Sequence, residues 1–218
     1  MAAQQYVREL AAQRPELATT LGELAELHER RLYHELTVKL EEVVASPPFC
    51  KPGDEVLVHP YTHFVVDFEA KVNQLKLAHI AVAVSSRLGD PRAAVAFLNN
   101  AAAKLQGDHS AAAPALYLRM HVALLHLQAG DMAAAKTGVE QGRTELERLE
   151  GADTSVHAAF YFVAAQLAKA SQDFSEFHKS GLLYLAYTSL DALPQALKLV
   201  RAPGCPSWSL SVSQSVDL

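Results

Sequence analysis

Apolar residues recur at three- and four-residue intervals along most of this 218-residue chain. After Asp90-Pro91, the positions Ala94, Phe97, Leu98, Ala101 and Leu105 follow the rhythm of one helix face. Asp90 offers an N-cap acceptor, and Pro91 falls at the first helical position, where a missing N–H costs nothing. Gly107-Asp108 predicts the end of that helix and the cap of the next. From Asp131 a second stripe runs Met132, Ala135, Val139, Leu146, Leu149. Its opposite face carries Lys136, Glu140, Arg143 and Glu147 at ion-pairing intervals within the helix. From Asp153 a third stripe runs Val156, Phe160, Val163, Leu167. The segment after Asn73 is apolar nearly all round (Leu75, Leu77, Ala78, Ile80, Ala81, Val82, Val84), which predicts a buried inner helix. No run alternates apolar and polar residues convincingly, so no strand is expected.

The caps themselves repeat. Gly89-Asp90, Gly130-Asp131 and Gln172-Asp173 recur at steps of 41 and 42 residues, each followed four positions after the Asp by Ala94, Ala135 or Phe177. Asp108 and Asp153 fall between them and start the second helix of each unit. Two helices per unit at this period predict an all-α solenoid of antiparallel helix pairs, of the tetratricopeptide or HEAT kind. In such a stack each unit buries its stripe against its neighbours. Upstream, Leu21 to Glu42 reads as one long helix or two short ones, broken by Ser46-Pro47-Pro48. Asp54 then caps a segment bearing Val56, Leu57, Phe64, Val65 and Phe68, bent at Pro60. From Gln195, and clearly after Pro203, the character changes: Ser alternates with other residues through Trp208, Leu210 and Val212. The expected organisation is a helical-repeat arm over 1–194 and a disordered, Ser-rich tail over 195–218. A docking or edge-strand peptide is the alternative for that tail.

Composition narrows the class. Half of the residues are hydrophobic and 20% are charged, which suits a globular chain. The formal net charge is −5, with no basic run of the kind that neutralises phosphates, so no nucleic-acid partner is expected. Cys50 and Cys205 are too few for a disulfide framework. The first ten residues lack a signal peptide's apolar core, and no run approaches the length of a membrane span. The expectation is a soluble protein of a reducing compartment, cytoplasm or nucleus, with no membrane partner.

Ten histidines invite a search for chemistry. His59, His63 and Asp67 would share one face of an unbroken helix and could reach one metal ion, but Pro60 interrupts that turn, so they are read as structural. His121 and His126 are five apart and share no face well, and His157 follows a core position and reads as a packing or capping residue. Cys50 has no activating base beside it, and Glu41 and Glu42 are neighbours that point apart on a helix. No phosphate-binding loop, dinucleotide turn or nucleophile elbow occurs. The site expectation is therefore empty: no catalytic residue, no cofactor or metal ligand, and no small-molecule substrate.

Three collinear stretches carry a likeness. One is Leu32-Tyr33-His34-Glu35-Leu36-Thr37. Another runs through Phe64, Phe68-Glu69, Val72-Asn73, Leu75 and Leu77 to Asp90-Pro91, Ala94 and Phe97-Leu98. The last is Thr154-Ser155-Val156-His157 with Phe160-Tyr161, Phe177-His178-Lys179 and Tyr184. Over roughly residues 20 to 194 the chain resembles the PCI-family lid subunits of the proteasome regulatory particle. The resemblance implies a helical-repeat arm followed by a PCI/winged-helix domain and a last helix. It also implies a non-catalytic scaffold that contacts other lid and base subunits in ubiquitin-dependent protein degradation. The likeness stops after Leu193-Pro194, so the chain is expected to end before the PCI domain, with a tail foreign to the family. An arm lacking its next repeat exposes an apolar face, so the chain is expected to be less stable than a longer form or to self-associate. Three alternatives stand beside this reading: a helical-repeat adaptor of a signalosome or translation-initiation complex, a non-functional short product, and a small helical enzyme or metal protein built on His59, His63 and Asp67.

Overall fold

A computed structural model of the chain describes residues 18–45, 64–65, 68–105 and 111–188. Among the described residues all regular structure is helical. The helices are α1 (Ala18–Glu29), α2 (Tyr33–Ala45), α3 (Gln74–Ser85), α4 (Pro91–Lys104), α5 (Ala112–Gln128), α6 (Met132–Arg148), α7 (Thr154–Ala170) and α8 (Phe174–Tyr187), with a 3-10 turn over Glu69–Lys71. Leu21 to Glu42 resolves into two helices that part at Arg30-Arg31-Leu32. Gly107-Asp108, Ser46-Pro47-Pro48, the start of the Asp54 segment and residues 195–218 lie outside the described residues.

The expected caps that fall among the described residues form. Asp90, Asp131, Asp153 and Asp173 accept from the backbone N–H of Arg92, Ala134, Ser155 and Glu176 at 2.8–3.1 Å, and Asn73 accepts from Leu75 and Lys76. Each satisfies an N–H that a helix start leaves without a partner. The helix ends repeat as well. At Gly130 the chain takes φ +85°. The Asp131 N–H donates to His126 O and the Gly130 N–H to Leu127 O, which makes a Schellman ending. Gln172 does the same at φ +60°, with Asp173 donating to Ala168 O and Gln172 to Lys169 O. Arg31 and Leu32 close α1 in the same way. Gly89 has no left-handed backbone among the described residues, so the 41-residue step is one of N-caps there and not of helix endings.

A residue with a Cβ is disfavoured in the left-handed region by roughly 1–2 kcal/mol. Gln172→Gly is therefore expected to raise the unfolding free energy by about 0.5–1 kcal/mol, after the extra entropy of glycine is offset. Gly130→Ala, where nothing lies within 4 Å of the added methyl, is expected to lose a similar amount. Thermal denaturation followed by circular dichroism reads both; opposite signs at the two positions are the expected result.

The helices pack as two rows. α3, α5 and α7 contact one another in series, and α4, α6 and α8 each pack against the helices that flank them in the chain. α3 is the inner helix its composition predicts: Leu77, Ala78, Ile80, Ala81 and Val84 are all buried, and the Ser85 hydroxyl is satisfied by Val82 O at 2.8 Å. It contributes to all three apolar clusters. Leu77, Ile80 and Val84 join Leu21, Leu24, Leu36, Leu40, Phe64 and Phe68. Ala78 and Ala81 join Leu98 and Leu118, and Leu75 borders the cluster of Leu116, Met120, Val156, Phe160 and Val163.

Most stripe positions are buried as expected. Met132 is the exposed one, at 37%, in the first turn of α6 beside its cap, and Leu149 and Leu167 are half-buried. Ala102, unmarked in the stripe of α4, is buried, while Phe97, Ala101 and Leu105 are half-buried. The ion pairing expected within α6 is also redirected. Arg143 pairs across to Glu176 of α8 at 2.9 Å, and Glu145 binds Arg119 of α5.

Candidate interaction surface

The candidate chemistry of the sequence falls partly outside the described residues. His59, His63, Asp67 and Cys50 lie outside them. Among the described residues no group of three or more His, Cys, Asp or Glu is placed to hold a metal ion. His157 stacks flat on Tyr187 (ring centroids 4.6 Å apart, 13° between planes), so it packs as expected. His121 and His126 are kept apart by the helix. His121 lies against Tyr117, and the His126 ring nitrogen stands 3.9 Å from Asp131. No helix among the described residues is long and apolar enough to cross a membrane.

Two clefts open between the described helices. The first, about 390 Å³, lies between α4, α5 and α6. Leu116, Met120 and Ala123 of α5 and Gly138 and Gly142 of α6 form its floor, with Asn99 and Gln141 at its mouth. The glycines let the helices approach closely here. A methyl on Gly138 would stand 3.0 Å from the Ala123 Cβ, and one on Gly142 would overlap Met120 Cε. Arg119 closes one end with two contacts to the Glu145 carboxylate at 2.6 and 2.7 Å. The second cleft, about 280 Å³, lies between α6, α7 and α8 and is lined by Leu146, Phe160, Tyr161, Ser180 and Leu183. Arg143 and Glu176 span its rim.

The two clefts occupy equivalent places in successive repeats. Leu116, Arg119 and Met120 stand 41 residues before His157, Phe160 and Tyr161, and Thr137, Gly138 and Gln141 stand 42 before Lys179, Ser180 and Leu183. One backbone plan thus presents two differently furnished hollows. The half-exposed ion pairs on their rims contribute roughly 0–1 kcal/mol each, so they fix side-chain positions more than they hold the fold. Past the second cleft, α8 turns Phe174 (71% exposed) and Leu182 (52%) outward on one side, and buries only Ser180 and Gly181 toward α7. The clefts escaped the sequence reading. The signal for the first was two glycines four apart inside a helix, where each costs about 1 kcal/mol relative to alanine and so calls for a packing reason.

Paired helices in register, with clefts between them, define a helical-repeat fold. The chain belongs to the PSD13 N-terminal repeats family, which matches residues 20–207. It is 41% identical over 201 residues to 26S proteasome non-ATPase regulatory subunit 13 homolog A of Arabidopsis thaliana, covering 91% of this chain and 52% of the relative. Homolog B of the same plant is 40% identical over the same shares. The 26S proteasome non-ATPase regulatory subunit 13 of Dictyostelium discoideum is 29% identical over 88% of this chain and 49% of its own length. The chain therefore spans about half the length of the curated relatives it matches. The family match runs past the composition change at residue 194 to residue 207.

Proposed function

We propose that this chain is a non-catalytic structural part of the proteasome regulatory particle lid, acting in ubiquitin-dependent protein degradation through contacts with other lid and base subunits in cytoplasm and nucleus. The observation that carries this is the family match over residues 20–207, together with relatives named as non-ATPase regulatory subunits of the 26S proteasome. The architecture supports it. A double row of paired helices, with clefts that combine apolar floors and charged or polar rims, suits protein partners. The formal charge of −5 gives no support to a nucleic-acid partner.

The test is affinity purification of the tagged full chain from its own cells, with co-purifying proteins identified by mass spectrometry. Lid and base subunits are the expected recovery. Signalosome or translation-initiation subunits in their place would move the chain to another assembly of PCI type. Recovery of none of these would sink the scaffold role for this product.

A further inference from the structure

We infer that the packed trio His79, Tyr117 and His121 is a proton-sensitive joint that holds the amino-terminal helices against the repeats only while both imidazoles are uncharged. His79 of α3 lies 4.5 Å from the Tyr117 ring and His121 of α5 lies 4.7 Å from it, with the planes tilted 53° and 55°. The Nε2 atoms of both histidines are buried and make no hydrogen bond with any described residue. The trio sits where α3 meets α5. α3 is shared by the amino-terminal cluster and the repeat clusters, so this contact joins the two parts of the fold.

The charged surroundings are unequal. Glu41 of α2 and Asp153 at the start of α7 favour a proton on His79, and Lys76 of α3 opposes it; Lys76 is itself tied to Glu41 at 3.1 Å. Burial outweighs these and holds His79 below the usual histidine range. His157 stands near Asp153 and shares its negative charge with His79. His121 has no such anion: burial, and then the neighbouring His79, push it down to about 4. Burial likewise pushes the Tyr117 phenol up to about 12, so the ring between them stays neutral. A first proton on either imidazole makes the second harder to place, since both lie against one ring.

The direction follows from proton binding. A histidine held neutral when folded takes a proton more readily in the unfolded chain, so stability rises with pH across the window between the two values. The contribution is fully present above the ordinary value of about 6.5 and is lost as pH falls toward 4. For His121 alone the folded-to-unfolded ratio should fall about 20-fold between pH 7 and pH 5. Two measurements on the full chain decide it. Urea denaturation at pH 7, 6 and 5 should show that fall, and His121→Gln and His121→Phe should each remove most of it. Because a variant can fail to fold, an NMR titration of the imidazole Cε1–H signals of the unmodified chain accompanies it. His121 should stay neutral in the folded protein down to about pH 5. Titration of His121 near 6.5 in the folded state, or a variant that keeps the whole pH dependence, would overturn the joint.

Discussion

Phe160→Ala is expected to lower the unfolding free energy by about 3–5 kcal/mol. Phe160 is 2% exposed and sits among Leu116, Met120, Val156 and Val163, with the Tyr161 ring edge-on at 5.2 Å. Removing the ring takes away its burial and leaves a space that the helices cannot close. α7 is held on one side by α5 and on the other by the small buried residues of α8. The ring also lines the second cleft, so that cleft should grow, and water entering it would set the cost nearer the lower figure. Equilibrium denaturation followed by circular dichroism measures the effect; a loss below about 1 kcal/mol would mean that the ring is not a core residue.

Phe68→Ala should cost a similar amount, but in a different part of the molecule. Phe68 is 1% exposed and meets Phe64 edge-on at 5.3 Å, His28 at 5.6 Å and Tyr33 at 6.3 Å. Its cluster unites α1, α2 and α3 and reaches the repeats through α3. In stacked architectures each unit is stabilised by its neighbours alone, so damage at one end need not spread. α1 and α2 are therefore expected to lose amide hydrogen-exchange protection first, while α6, α7 and α8 keep theirs. Exchange read by mass spectrometry separates the cases, and uniform loss along the chain would show one cooperative unit instead.

Local rules made most of this architecture legible in the sequence. The Asp caps at 90, 131, 153 and 173 act within three residues of themselves, and α3 had nowhere to put its apolar residues but inside. Legibility failed where a neighbour decides. Arg143 has Glu147 at the right spacing on its own helix, yet pairs with Glu176, because α8 brings that carboxylate alongside. Met132 fits the apolar stripe of α6 by periodicity, but at the first position of that helix it stays exposed. Gln172 gave no hint of its left-handed backbone, since that conformation is imposed by the two hydrogen bonds that end α7. The clefts needed two helices at once, and His121 looked like a poor partner for His126 when its real neighbours were His79 and Tyr117.

The matched endings at Gly130 and Gln172 carry a consequence for how such an arm can change length. Asp131 and Asp173 each finish one helix ending and begin the next helix, so residues 131–172 open and close with the same joint. A second copy of that stretch spliced in at either joint would find both of its borders already shaped to receive it. Duplication or loss of this 42-residue cassette is thus the step in which the arm can be lengthened or shortened without remaking a single turn.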